Sequence, residues 1–129
     1  MDLIKCNEPY DVLIGHSQGA ILSSVILAQC LTCAKEDRYI HKPKAAILSG
    51  NAWPNPYTEM FNKLTRNSFS LSLHVIGEND NVNPPTDAQR LCDLFGGERL
   101  LHQCGHTLPM REQDINLYMK FLKKAKEIL

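Results

Sequence analysis

The sequence lacks the charge pattern and the long apolar segments that are typical of nucleic-acid-binding and membrane-spanning proteins. Lys and Arg together number 14, as do Asp and Glu, so the formal net charge at pH 7 is zero. No apolar run approaches the roughly 18 residues of a membrane-spanning helix. The stretch from Met1 to Cys6 also lacks the positive start and apolar core of a secretory signal. We therefore expect no nucleic-acid partner, no membrane span and no secretion.

The cysteine content argues against a disulfide framework. The chain has five cysteines, and an odd number without a secretory signal favours reduced thiols in the cytoplasm, with the nucleus as an alternative. Cys30 and Cys33 form a Cys-x-x-Cys pair, but they lie late in a predicted helix rather than at a helix start, where redox pairs lie. No second Cys or His pair has metal-ligand spacing. We interpret these cysteines as ordinary helix residues and expect no metal site.

The 129 residues are enough for one domain with a hydrophobic core, and strand-like and helix-like segments alternate along them. The predicted strands cover residues 10–15, 44–50, 71–77 and 99–103. The predicted helices cover residues 18–34, 57–64, 86–95 and 111–128. This order predicts an α/β fold with a mostly parallel sheet of about four strands flanked by helices.

Apolar spacing in the helices identifies the faces that we expect in the core. The first helix has a broad apolar face of Ile21, Leu22, Val25, Ile26, Ala28 and Cys30. The last helix has a stripe of Ile115, Tyr118, Met119, Leu122 and Ala125. Thr86 is predicted to cap the third helix, and the pair Gly96-Gly97 to end it.

The stretch Gly15-His16-Ser17-Gln18-Gly19 joins the first predicted strand to the first predicted helix. It reads Gly-x-Ser-x-Gly, and this context is typical of a nucleophile elbow, in which a tight turn lifts a serine hydroxyl out of the sheet. We expect Gly15 and Gly19 to remove side chains that would collide where strand and helix approach closely. The alternative is that Ser17 is a plain helix N-cap.

An acid and a base follow later strands in the order that a serine hydrolase of the α/β-hydrolase fold uses. Asp80 follows the third strand and His106 the fourth. The carboxyl ends of parallel strands meet at one edge of a sheet, so both residues are expected near Ser17. In this interpretation Ser17 attacks an acyl carbonyl, His106 transfers its proton, and Asp80 orients the imidazole. The backbone N–H of Gln18 is the predicted oxyanion donor, and no metal or organic cofactor is needed.

Other residues compete for these roles. Glu78 and Asp87 are the alternatives to Asp80, Glu78 as a solvated carboxylate and Asp87 as a partner of the helix dipole. The other histidines are the alternatives to His106. His41 lies beside a Lys-Pro turn, and His74 and His102 lie in strands. His16 occupies the variable elbow position and is predicted to line the pocket.

Three further residues are assigned to the surroundings of the site. Trp53, in the proline-containing loop after the second strand, is predicted either to shape the acyl pocket or to pack in the protein. Val82, in the loop after Asp80, is a second predicted pocket-lining residue. Cys104 stands two residues before His106, and we interpret it as a packing residue.

These residues resemble the serine hydrolase FSH family of the α/β-hydrolase fold. The likeness is carried by Gly-His-Ser-Gln-Gly-Ala, by Ser-Gly at the end of the second predicted strand, by Val-Ile-Gly-Glu-Asn-Asp with Pro-Pro after it, and by Cys-Gly-His-Thr-Leu-Pro. It runs from about Tyr10 to the C-terminus. It implies a carboxylic ester hydrolase acting on aliphatic or lipid-like acyl esters, with Ser17, Asp80 and His106 as its triad. Cys104 departs from the family's Gly-Gly-His.

The front of the chain departs from the family further. The resemblance implies several strands and a His-Gly-type loop, which carries a second oxyanion donor, before the elbow strand, but only nine residues precede Tyr10. We therefore expect residues 1–129 to be one α/β-hydrolase domain that lacks its N-terminal part. The strand over 10–15 is then an exposed apolar edge that is open to self-association. Three hypotheses follow: an active esterase, an impaired remnant or binding module, and a half-domain completed by another chain.

Overall fold

Four parallel strands form the centre of the structure. The computed structural model describes residues 10–32 and 42–128. The strands are β1 (Val12–His16), β2 (Ala45–Ser49), β3 (Ser72–Gly77) and β4 (Glu98–His102). They pair in chain order, each parallel to the next. Each strand lies within two residues of its predicted position, and the α/β class with a four-stranded parallel sheet is confirmed.

The helices alternate with these strands as the sequence predicts. They are α1 (Gln18–Thr32), α2 (Thr58–Asn62), α3 (Pro85–Phe95) and α4 (Glu112–Ile128), and a short 3₁₀ helix, Asn55–Tyr57, precedes α2. The predicted end of the first helix lies outside the described residues, as do Cys6, Cys33 and His41. No helix in the part of the chain that the structure describes is long and apolar enough to cross a bilayer.

The sheet separates two hydrophobic cores. Because side chains alternate along a strand, β2 directs Ala46 and Leu48 to one face and Ala45 and Ile47 to the other. The first core contains residues of the three connecting helices, among them Leu27, Ala28, Phe61, Leu91 and Phe95. The second core lies under α4 and contains Leu73, Val75, Tyr118, Phe121 and Ala125. The connections between successive parallel strands all have the same handedness. They therefore place α1, α2 and α3 on the same face of the sheet.

The start of α3 differs from the prediction. The helix begins at Pro85 after Pro84, and no side chain caps it, so Thr86 lies within the first turn and is not the cap. Proline is suited to the first helical position because its missing N–H is not needed there. The end is as predicted, since Gly96 takes φ +81° and its N–H donates to the Cys92 carbonyl.

The buried stripe of α4 differs from the predicted one. Tyr118 and Ala125 are buried as expected, but Ile115 is 39% exposed and Met119 is 61% exposed. Phe121 takes their place in the core, with 4% exposure. Positions 118, 121 and 125 follow the spacing of three and four residues that aligns side chains on one helix face.

Close packing between β1 and α1 explains one of the two elbow glycines. A Cβ atom on Gly15 would lie 2.4 Å from the backbone oxygen of Gly19 and 2.7 Å from the backbone nitrogen of Ala20. A Cβ atom on Gly19 would meet nothing within 4 Å among the described residues. The predicted collision is therefore real at Gly15, but it was wrong for Gly19, where a Cβ atom would have open space among the described residues.

His74 is a buried polar residue of the first core. It is 1% exposed, its ring lies 5.9 Å from that of Phe95, and its Nε2 hydrogen-bonds the Ser72 hydroxyl at 3.0 Å. Burial lowers the pKa of His74 to about 4, mainly by removing water from the charged form. The ring is therefore neutral in the folded protein at neutral pH.

Replacing the two elbow glycines separately tests this packing. Gly15→Ala should reduce the free energy of unfolding by about 1–3 kcal/mol, because the new methyl group meets rigid backbone. Gly19→Ala is the matched control and should leave it unchanged or raise it by less than about 1 kcal/mol, because alanine favours helix. Urea unfolding followed by circular dichroism measures both. Equal losses in the two variants would contradict the assignment.

The neutral His74 ring predicts an acid-sensitive stability. Its folded-state pKa is depressed, so the unfolded chain binds a proton first as the pH falls. The free energy of unfolding is therefore unaffected by His74 above about pH 6.5. Between about pH 6.5 and pH 4 it falls by about 3 kcal/mol because of this residue. Urea unfolding at several pH values should show a smaller decline for His74→Gln than for the wild type. Parallel pH profiles for the two proteins would refute the prediction.

Candidate functional site

Ser17 occupies the tight turn between β1 and α1. Its backbone has φ +56°, a left-handed conformation that is strained for a residue with a side chain. Its N–H donates to the Ser49 carbonyl at 2.8 Å, and its carbonyl accepts the N–H groups of Ala20 and Ile21, both at 3.0 Å. A helix N-cap has an extended backbone instead, so the geometry favours the elbow over the N-cap interpretation.

A continuous line of hydrogen bonds joins Ser17, His106 and Asp80. The Ser17 Oγ atom lies 2.8 Å from Nε2 of His106, and Nδ1 of His106 lies 2.8 Å from Oδ2 of Asp80. A carboxylate accepts hydrogen bonds only, so Nδ1 carries the proton that it donates to Asp80. Nε2 then accepts a hydrogen bond from the Ser17 hydroxyl. The three side chains come from the carboxyl ends of β1, β3 and β4.

Asp80 is held as a buried, hydrogen-bonded carboxylate. Its side chain is 4% exposed, and Oδ1 accepts the backbone N–H groups of Val82 at 2.8 Å and Asn83 at 3.0 Å. Burial acts to raise its pKa. The hydrogen bonds from His106 and these two amides outweigh burial and hold the pKa below its usual value. Asp80 is therefore ionised at neutral pH.

The competing carboxylates have other partners. Glu78 is exposed and accepts a hydrogen bond from the Gln103 side chain at 2.9 Å. Asp87 accepts the backbone N–H of Trp53 at 3.2 Å and lies in the first turn of α3. Neither reaches His106, so the structure brings only Asp80 of the three to the imidazole.

The other described histidines divide between the site and the core. His74 and His102 are 1% and 4% exposed and lie within the fold. His16 lies beside His106, with their ring centroids 5.1 Å apart, and its Nδ1 hydrogen-bonds the Ser49 hydroxyl at 3.0 Å. Burial, and then the adjacent His106, lower the pKa of His16 against the opposing pull of Asp80. The lowered pKa favours a neutral His16 beside the His106 ring.

Asn79 connects the acid loop to the base loop. Its Nδ2 donates to the Gln103 carbonyl at 3.0 Å, and its Oδ1 accepts the Gly105 N–H at 2.8 Å. Gly105 itself has φ +68° and immediately precedes His106. Asn79 therefore holds the turn that directs the imidazole toward Asp80. Sequence reasoning missed this role, although Asn79 immediately precedes Asp80 in the motif.

Gly50 and Asn83 complete the wall behind the imidazole. Gly50 has φ +60°, and a Cβ atom there would lie 3.0 Å from Cε1 of His106 and 3.2 Å from Cε1 of His16. Its carbonyl accepts a hydrogen bond from the Asn83 side chain at 2.8 Å. The absence of a side chain at Gly50 thus makes room for both rings. The Ser-Gly pair at the end of the second strand was the only sequence signal for this position.

Trp53 and Val82, the two residues predicted to line the pocket, differ in burial. Trp53 is 7% exposed, its Nε1 donates to the Thr58 hydroxyl at 3.1 Å, and the Arg90 guanidinium lies 3.5 Å from the centre of its ring. These contacts favour the packing interpretation of Trp53. Val82 is 63% exposed and contributes its backbone N–H to the acid loop. Trp53 also lines a cavity of about 470 Å³ together with Arg90. That this cavity takes an acyl group, and that the Val82 side chain lines a pocket, stay predictions.

Gln18 and Cys104 complete the set of predicted residues. Gln18 is the first residue of α1, so its N–H is one of the first-turn amides that have no acceptor within the helix. Cys104 is half-buried, and its backbone N–H donates to Nδ1 of His102 at 3.0 Å. Within residues 10–32 and 42–128, no group of three or more His, Cys, Asp or Glu side chains is arranged to hold a metal ion.

Comparison with known proteins places the chain in a family. Residues 1–118 match the family described as Serine hydrolase (FSH1). The chain is 34% identical over 121 residues to "Esterase OVCA2" of Mus musculus, covering 92% of this chain and 51% of the relative. The corresponding Homo sapiens protein is 32% identical over 120 residues, covering 92% and 52%. The chain thus spans about half the length of these curated relatives. It belongs to the serine hydrolase (FSH1) family.

Proposed function

We propose that this chain hydrolyses carboxylic esters, with Ser17 as nucleophile, His106 as general acid and base, and Asp80 as the residue that orients the imidazole. The observation that carries the proposal is the line of two 2.8 Å hydrogen bonds from Ser17 through His106 to Asp80. Membership of a serine hydrolase family supports the same chemistry.

The reaction follows from the direction of these hydrogen bonds. As Ser17 Oγ bonds to the acyl carbon, its proton passes to Nε2 of His106, and the carbonyl electron pair moves onto oxygen. The tetrahedral intermediate expels the alcohol, which takes the proton from His106 and leaves an ester on Ser17. Water then attacks that ester by the same proton transfers, and the carboxylic acid leaves. Asp80 stabilises the imidazolium at each stage without itself becoming protonated.

The turn at Ser17 supports the electrostatic part of this mechanism. Its strained backbone presents Oγ at the start of α1, where the N–H of Gln18 is the proposed donor to the oxyanion. The positive end of the helix dipole lies at the same place and favours the developing negative charge. A single such donor contributes about 3 kcal/mol of transition-state stabilisation.

The proposed substrate is an ester with an aliphatic or lipid-like acyl group. The mouse and human relatives are named esterases, which supports the ester class. The helix that begins beside the nucleophile has no Asp, Glu, Lys or Arg between residues 18 and 32, which suits an uncharged acyl group better than a charged one.

Covalent labelling tests the proposed chemistry. A fluorophosphonate probe should label the wild-type chain and fail to label Ser17→Ala, because the probe reacts with an activated serine. Hydrolysis of p-nitrophenyl butyrate should fall by at least about 10³-fold in Ser17→Ala and in His106→Ala. Ser70→Ala, at an exposed position, is the matched control and should keep wild-type labelling. A folded wild type without any Ser17-dependent adduct would favour a binding module instead.

We also propose that β1 pairs with a second copy of the chain. In the described residues β1 pairs with β2 alone, so its other edge presents unpaired backbone groups. Tyr10 and Ile14 next to this edge are 44% and 60% exposed. An apolar edge of this kind readily accepts another strand.

Sedimentation analysis tests the pairing. The wild-type chain should show a mass that rises toward twice its monomer value with concentration. Ile14→Lys should remain monomeric, because a charge beside an edge strand opposes pairing. Leu101→Lys, on β4 at 50% exposure, is the control and should associate like the wild type. A wild type that is monomeric at every concentration would refute the proposal.

A further inference from the structure

An apolar groove runs along α1 from the residue that follows Ser17. We name it the α1 groove; it has a volume of about 230 Å³ and is lined by Gln18, Ile21, Leu22, Val25 and Tyr57. The four α1 residues have the spacing of three and four that forms one stripe on a helix. The short 3₁₀ helix supplies Tyr57 as the remaining lining residue.

The chemistry of the groove is apolar and uncharged. Leu22 and Tyr57 are each 46% exposed, whereas Val25 is 7% exposed. Sequence analysis assigned Leu22 to the buried face of the helix, and the structure leaves it at the surface. Polar groups are confined to the Gln18 amide and the Tyr57 hydroxyl. A groove of this composition suits a hydrocarbon chain and offers no cation to a phosphate or carboxylate.

The groove begins at the residue that follows the proposed nucleophile. Gln18 lines it and directly follows Ser17, whose Oγ lies 2.8 Å from Nε2 of His106. From Gln18 to Val25 the helix rises by about 10 Å, which gives room for a chain of several methylene groups. A larger cavity of about 470 Å³ lies elsewhere, but its lining includes Arg66, Arg90 and Asp93 and no residue adjacent to Ser17.

We propose that the α1 groove binds the acyl chain of the ester whose carbonyl Ser17 attacks. The inference rests on the proposed ester hydrolysis and adds the location of the acyl subsite. Ile21, Leu22 and Val25 contact the chain along one side, and Tyr57 completes the lining. Each methylene group that leaves water for such a surface improves kcat/KM by about fourfold, until the chain outgrows the groove.

The test compares chain-length preference between variants. For the wild type, kcat/KM should rise from p-nitrophenyl acetate through butyrate to octanoate. Leu22→Trp fills the groove and should lower the octanoate-to-acetate ratio of kcat/KM by at least about tenfold. Tyr57→Ala removes one lining side chain and should lower the same ratio severalfold. Leu117→Trp is the matched control, because Leu117 is also a helical leucine, with 43% exposure, and should keep the wild-type ratio.

Three results would overturn the proposal. In the first, the octanoate-to-acetate ratio of kcat/KM is unchanged in both groove variants while hydrolysis still depends on Ser17. This result would contradict the acyl subsite and leave the proposed function intact. In the second, Leu22→Trp changes the sedimentation mass but leaves that kcat/KM ratio unchanged. This result would indicate that the groove binds a second polypeptide and not an acyl chain. A wild type that hydrolyses none of the three esters and takes no fluorophosphonate label at Ser17 overturns the proposed function together with the subsite.

Discussion

Parallel pairing of four strands is the constraint on which the site depends. It brings the carboxyl ends of β1, β3 and β4 to one edge of the sheet, where Ser17, Asp80 and His106 meet although they are distant in sequence. Buried apolar residues on both faces of β2, together with Leu73 and Val75 on one face of β3, stabilise this arrangement. The sheet thus places the groups that form the hydrogen bonds of the site.

The loops at this edge are held by backbone and amide hydrogen bonds. Asn79 joins the acid loop to the base loop, and Asn83 joins the acid loop to the Gly50 carbonyl. The missing side chain at Gly50 makes the space that the His106 ring occupies. The imidazole itself hydrogen-bonds Ser17 and Asp80 and lies against Gly50, which favours a single geometry between the serine and the carboxylate.

Sequence patterns predicted elements better than they predicted burial. Periodicity located the strands to within two residues, because buried parallel strands are short, apolar runs with loop residues at both ends. It assigned Ile115, Met119 and Leu22 to the core, and all three are exposed. Helical spacing identifies an apolar face, but which part of that face is covered depends on where neighbouring elements pack. The steric role expected of Gly19 failed for the same reason, because it depends on the direction of a Cβ atom relative to the strand.

The sequence by itself determined the α/β class, the family resemblance and the loops that supply a serine, a carboxylate and a histidine to the site. These follow from local patterns, since each lies in a short motif at the end of a predicted strand. Only the tertiary structure decided that Asp80 rather than Glu78 or Asp87 reaches His106, and that Asn79 and Gly50 shape its surroundings. Those choices depend on distances between loops far apart in the chain, and the packing of the sheet sets such distances.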